Sequence, residues 1–82
     1  MDTEIVNDSI EVGAQFGTGG LRPEWFVWQG RRRVIRQVTC AWREPDGGVS
    51  HRCFAVTDGV MTYELKLDLR TLRWRLTRVS GV

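Results

Sequence analysis

Apolar residues in this chain recur at every second position, in short runs bounded by glycine-rich turn signals, and no segment shows a helical period. A period of two fits extended strands with one buried face, so the expected fold is all-β and antiparallel. From Ser9 to Phe16 the alternation puts Ile10, Val12, Ala14 and Phe16 on one face. Gly17-Thr18-Gly19-Gly20 then breaks the run, and Pro23 closes the loop. Residues 1–8 are polar and predict a flexible acidic arm, leaving residues 9–82 as a single β domain.

Four further turn signals divide the rest. Gln29-Gly30 separates a short strand at 24–28 from a long one running from Arg31 to Arg43. Glu44-Pro45-Asp46-Gly47-Gly48 reads as a type I turn followed by a left-handed glycine. Asp58-Gly59 is a two-residue hairpin signal, because a type I′ turn needs positive φ at both central positions. Asp68 to Thr71 makes a four-residue connection. These turns set registers. Val56 faces Met61, Phe54 faces Tyr63, Leu65 faces Trp74, Tyr63 faces Leu76, Val38 faces Phe54 and Trp42 faces Ser50. All of these apolar residues, with Val34 and Cys40, fall on one face and form the expected core.

The other face is polar toward the C-terminus, where Thr62, Glu64 and Lys66 lie across from Thr77, Arg75 and Arg73. Glu64 opposite Arg75 is a favourable pair and Lys66 opposite Arg73 a like-charge one. At the Gln29-Gly30 turn, Trp28 faces Arg31 and Phe26 faces Arg33, near Ile35, Ala41 and Ala55. Apolar residues on both sides of the long strand predict that it bends and is covered twice. The expected architecture is a meander of about six strands forming a small, partly closed SH3-like barrel or a strongly curled sheet; a dimer would serve the same end.

With 82 residues the chain forms one small core, burying only about 60% of its unfolded surface. Trp25, Trp28, Trp42, Trp74, Phe16, Phe26, Phe54 and Tyr63 are its main supply of apolar area, and self-association is a second source of burial. Charge is uneven. Residues 1–24 hold five acidic residues against Arg22, whereas residues 25–82 hold eleven basic residues against five acidic ones. Basic strands behind an acidic segment suit an anionic partner. The first residues do not form a signal peptide and no run would span a membrane, so a cytoplasmic location with no membrane partner is expected.

Cys40, His51 and Cys53 are the soft metal ligands of the chain, one short of a structural zinc set, and the register puts the two cysteines on opposite faces. They read as ordinary buried thiols, reduced and not disulfide-bonded. His51 lacks a carboxylate placed by sequence to orient it as a base. Gly17-Thr18-Gly19-Gly20 lacks the lysine and following helix of a phosphate loop. No enzyme, cofactor or small-molecule substrate is expected.

Two basic clusters are interleaved with aromatics: Arg31-Arg32-Arg33 with Arg36, and Arg73-Trp74-Arg75 with Arg78. Such surfaces suit nucleic acid, with arginines on phosphates and rings stacked on bases. The plainer reading makes Trp74 core and its arginines the wet side of a half-buried strand. Trp28 with Arg31 is the more suggestive pair, because its register puts that ring off the main core.

Pro23, Phe26-Val27-Trp28, Gly30-Arg31, Trp42-Arg43-Glu44, Tyr63-Glu64-Leu65 and Trp74-Arg75-Leu76-Thr77-Arg78-Val79 together resemble a small bacterial domain of unknown function. That family is associated with Actinobacteria and related groups. Its members stand alone or lie beside proteins of the error-prone, translesion DNA-polymerase type. The similarity spans most of residues 23–79; Arg33 departs from the aromatic residue expected there, and the cysteines are outside the pattern. The resemblance implies context and no activity. The expected function is a non-catalytic accessory module that contacts nucleic acid or a DNA-repair protein through Phe26, Trp28, Arg31, Arg33, Arg73 and Arg75. The alternative is a protein–protein or homodimerisation module in which Phe26, Trp28 and Ile35 bury against a partner.

Overall fold

A computed structural model describes residues 3–81. Seven strands run β1 (Thr3–Gly17), β2 (Gly20–Trp28), β3 (Arg31–Val34), β4 (Gln37–Asp46), β5 (Val49–Thr57), β6 (Met61–Asp68) and β7 (Trp74–Gly81). They form one antiparallel sheet in the order β3-β2-β1-β7-β6-β5-β4. The order is largely that of a meander, broken where β7 returns to lie beside β1. Strand β1 serves two neighbours in turn: Thr3 to Ile10 pair with β7, and Glu11 to Gly17 pair with β2.

The expected six strands become seven, and neither the expected SH3-like closure nor the strongly curled alternative forms: among the described residues no ladder joins β3 to β4, and the sheet stays open. The long strand predicted from Arg31 to Arg43 is interrupted at Ile35-Arg36. Ile35 N donates to Glu24 O of β2 (2.9 Å), and Arg36 N donates to Thr57 O of β5 (2.8 Å). Each bond anchors one residue of the link to its own end of the sheet, so the chain itself passes between the two ends at Ile35-Arg36. The interruption also resets the alternation, so Val34 is 62% exposed instead of buried. Residues 3–8, expected as an arm outside the sheet, are strand residues of β1; residues 1 and 2 lie outside the described residues.

Phe26, Phe54, Val56, Tyr63, Leu65, Leu76 and Val79 form the buried core. Ile10, Val12, Trp28, Ile35, Val38 and Trp74 pack around it, half-buried. Phe16 is 82% exposed although it shares a strand face with Ile10. The cause is topological: the β1–β7 ladder ends at Ile10–Trp74, and among the described residues β7 does not continue beside β1 as far as Phe16.

Turn chemistry decided the registers. Gln29 (φ 53°) and Gly30 (φ 71°) form a tight two-residue turn, and Trp28 faces Arg31 and Phe26 faces Arg33 as predicted. At Asp58 the side chain intervenes. Its Oδ1 accepts from Val60 N (2.9 Å) and Met61 N (2.8 Å), so the loop spans residues 58–61 and Val56 pairs with Tyr63. Asp68 does the same for Arg70 N and Thr71 N, and Leu67 pairs with Trp74. Both ladders lie two residues from the expected register. Such a slip keeps every side chain on its face, which is why Phe54, Val56, Tyr63, Leu65 and Leu76 were identified as core through wrong pairs; Val79, beyond a further shift in the β6–β7 ladder, was missed.

Strand β4 departs further. Gly47 and Gly48, both at positive φ, make the turn, and Thr39 is an extra residue bulged out opposite β5. One extra residue inverts everything beyond it. Trp42 therefore pairs with Cys53 and leaves the core face, and Cys40 pairs with Ala55 and is exposed. The two cysteines thus share a face as diagonal neighbours, contrary to the sequence register, and both are free.

Candidate functional site

Two register shifts meet on the outer face of the sheet. Across from Thr77, β1 carries an extra residue at Val6–Asn7. Thr77 is itself the extra residue of β7 against β6, between the Glu64–Arg78 and Leu65–Leu76 pairs. A bulge lets both Thr77 and Arg78 turn outward while Leu76 and Val79 stay in the core. Asn7, released from the regular ladder, takes Arg75: its Oδ1 accepts from Arg75 Nε (2.6 Å) and its carbonyl from Arg75 Nη2 (2.8 Å). Thr77 Oγ1 donates to Glu64 Oε2 at 2.7 Å.

Around this point the face is concave, with an open cavity of about 510 Å³ lined by Asn7, Asp46, His51, Lys66, Asp68, Thr71, Arg73, Arg75 and Thr77. Its charges are sorted. Lys66 Nζ lies 3.4 Å from Glu44 Oε1 and 3.2 Å from Asp46 Oδ2. Burial pushes the ammonium toward lower pKa, but the bonds to Asp46 and Glu44 outweigh it and raise the value. Glu44 is held below the usual carboxylate range by the Trp42 indole N–H and then by Lys66. Asp68 is likewise held low, first by the Thr71 amide. His51 Nε2 lies 3.9 Å from Asp68 Oδ2, an ion pair when the ring is protonated, and Nδ1 lies 3.1 Å from Val49 O. Among the described residues, Arg73 and Arg75 have no carboxylate partner, so they carry the uncompensated charge of the groove.

Cys53 lies in the same face, 1% exposed, beneath Glu44 and Lys66. Burial, and after it the Glu44 charge, push its thiol up to about 11. It is protonated at neutral pH and unsuited to act as a nucleophile or a metal ligand. Among the described residues no group of His, Cys, Asp and Glu is arranged to hold a metal ion.

The six predicted contact residues separate into two groups. Phe26 is 0% exposed and lies edge-on to Tyr63, with ring centroids 4.9 Å apart. Trp28 lies on the same Tyr63 ring at 6.3 Å and donates from Nε1 to Asp8 Oδ2 (2.9 Å). Arg33 turns inward, its guanidinium 4.8 Å from the Trp28 ring and bonded to Tyr63 Oη at 3.2 Å. Arg31, Arg73 and Arg75 are exposed. The aromatic hairpin is thus mainly the lid of the core, and Arg73 and Arg75 face the groove. Trp28 and Arg75 also line a second, shallower concavity, where β2 diverges from the N-terminal half of β1.

Sequence reasoning missed Asn7, Lys66, His51 and Thr77 as members of one site. Alternation had placed Lys66 and Thr77 on the polar face, but Asn7 joins them through the non-local β1–β7 ladder, which no turn signal announces.

Neither a protein-family model nor a curated protein nor a solved structure matches the chain. The resemblance to the bacterial domain family rests on the quoted residues alone.

Proposed function

We propose that this protein is a small non-catalytic binding domain that contacts the sugar–phosphate backbone of nucleic acid through the outer groove, with Arg73 and Arg75 as the principal contacts. The supporting observation is the pairing pattern: the groove's acidic side chains are engaged by Lys66, His51 and backbone amides, and its two arginines face no carboxylate. A guanidinium without a carboxylate partner is the better phosphate ligand, because no ion pair must break first. Asn7 and Ser9 orient Arg75 without neutralising it.

Contact of this kind is backbone-directed and independent of sequence. Phe26 is too deeply buried to stack on a base, and Arg33 is committed to Trp28 and Tyr63, so recognition through the aromatic hairpin is not part of the reading. A non-catalytic role fits a buried, protonated Cys53 and a Thr77 hydroxyl already spent on Glu64.

Fluorescence anisotropy with labelled single- and double-stranded oligonucleotides at several salt concentrations tests this. Binding that weakens with salt, and whose logarithmic slope falls by about one on Arg73→Ala, is the expected result. Absence of binding at low salt, or affinity unchanged by Arg73→Glu together with Arg75→Ala, refutes it. A DNA-repair protein presenting an acidic surface is the second partner class the same charges allow.

A further inference from the structure

We infer that a second copy of this chain pairs with the C-terminal half of β1, joining two sheets edge to edge about a two-fold axis. Beyond Ile10 the strand has β2 on one side and, among the described residues, no strand on the other. In an antiparallel ladder, bonded and non-bonded pairs alternate, and a two-residue turn is flanked by a bonded pair. Gly17–Gly20 is that pair. Gly17 and Gln15 therefore direct their amides to β2, and Phe16, Ala14 and Val12 direct theirs to the open side. The irregularity between Gly13 and Ala14 places its extra residue, Glu24, in β2, so the alternation along β1 is unbroken.

The edges at the two ends of the sheet are protected in ways this one is not. Strand β3 is four residues long and carries three arginines; β4 has the Thr39 bulge, Arg43, Glu44, Pro45 and Asp46. Short length, charge, proline and bulges all discourage further pairing. From Val12 to Leu21 there is no charged residue and no proline, and Phe16 stands 82% exposed on that segment.

Geometry favours a second copy over an unrelated strand. An antiparallel two-fold pairing centred on Ala14 sets Ala14 against Ala14 and Val12 against Phe16 of the second copy. Every outward amide then meets a carbonyl. Facing residues share a side of the sheet, so Phe16 of the second copy arrives beside Val12. A cavity of about 490 Å³ lies there, lined on its apolar side by Ile10, Val12, Leu72 and Trp74. Leu72, 68% exposed, is an apolar side chain open to that ring. Glu11 faces Gly17 of the second copy, so no like charges meet.

Sedimentation velocity from low micromolar to millimolar protein tests the interface. A reversible dimer is expected for the wild type, with the dissociation constant raised roughly tenfold or more by Phe16→Glu, since the anchor is lost and a charge enters an apolar contact. In a Cys40→Ser background, Ala14→Cys should give an intermolecular disulfide joining the two introduced cysteines, because facing bonded residues have Cα atoms about 5.5 Å apart. Gln15→Cys should not. A wild type that stays monomeric at millimolar concentration overturns the inference. So does a dimer that is indifferent to Phe16→Glu and forms no Ala14→Cys cross-link.

Discussion

Tyr63→Phe removes one oxygen from the centre of the molecule and leaves the ring. The side chain is 1% exposed, and its ring is contacted by Phe26 and Trp28, so apolar packing is kept. What is lost is a chain of polar contacts: Arg33 Nη1 donates to the phenol oxygen at 3.2 Å, and the phenol donates to Asp58 Oδ2 at 3.0 Å. Among the described residues Arg33 Nε is buried with no partner already, so losing Nη1's acceptor leaves the guanidinium poorly satisfied against two rings. A hydrogen bond to a charged group contributes about 1.5–3 kcal/mol, and an orphaned buried donor costs about 1–3 kcal/mol. Asp58 keeps its bonds to Val60 N and Met61 N and regains water, so its share is small. The expected net loss is about 2–3 kcal/mol, which for a domain of this size lowers Tm by about 10–20 °C. Urea titration and thermal melts followed by near-ultraviolet circular dichroism measure both. Replacing both partners by apolar groups should recover part of the loss, so Arg33→Leu should cost less in the Tyr63→Phe background than in the wild type. A loss below about 0.5 kcal/mol, or additive double-mutant costs, would refute the role given to this chain of contacts.

Other perturbations follow from single contacts. A Cβ at Gly13 would lie within 2.0 to 2.5 Å of Trp25 indole atoms, so Gly13→Ala should displace that ring and the Arg32 guanidinium stacked 4.3 Å from it; the expected loss is about 1–3 kcal/mol by urea titration, much reduced in a Trp25→Ala background. Gln29→Asn should stabilise the protein by a few tenths to about 1 kcal/mol in the same assay, because asparagine tolerates the left-handed conformation at φ 53° better. At mildly alkaline pH an alkylating reagent should label exposed Cys40 and spare Cys53 until the protein unfolds, as read by intact mass. The folded Cys53 thiol is raised from an ordinary value near 9 to about 11, so the unfolded chain gives up its proton first. The resulting stability is present below pH 9 and lost as pH rises through 11, a fall of the order of 2–3 kcal/mol that Cys53→Ala should lack.

What could be read from the sequence depended on whether a local signal set each pairing. The Phe26–Arg33 and Trp28–Arg31 pairs were legible because Gln29-Gly30 leaves little choice of turn. Their covering by Tyr63 was not, since that contact joins residues thirty or more positions apart and depends on the order of strands. Asp58 and Asp68 moved two ladders by capturing the amides ahead of them, yet a slip of two left the predicted core from Phe54 to Leu76 on its face; Val79 was missed because the Thr77 bulge turns it inward. Thr39 did more damage with a single residue: its bulge carried Cys40 and Trp42 to the other face. The groove was half legible. Arg73 and Arg75 were assigned to a polar face and lie there, but the bulges that bring Asn7 beside Arg75 have no signature in composition or spacing. Phe16 shows the limit of alternation, which gave its face correctly and could not say that the covering strand stops at Ile10.

The proposed partner contact uses the outer groove and not the aromatic hairpin. Amide chemical-shift mapping during titration with a short single-stranded oligonucleotide tests it most directly. The largest shifts are expected on Asn7, His51, Arg73, Arg75 and Thr77, and they fade as salt is added. Shifts concentrated instead on Phe26 to Arg33, with the groove silent, would contradict it.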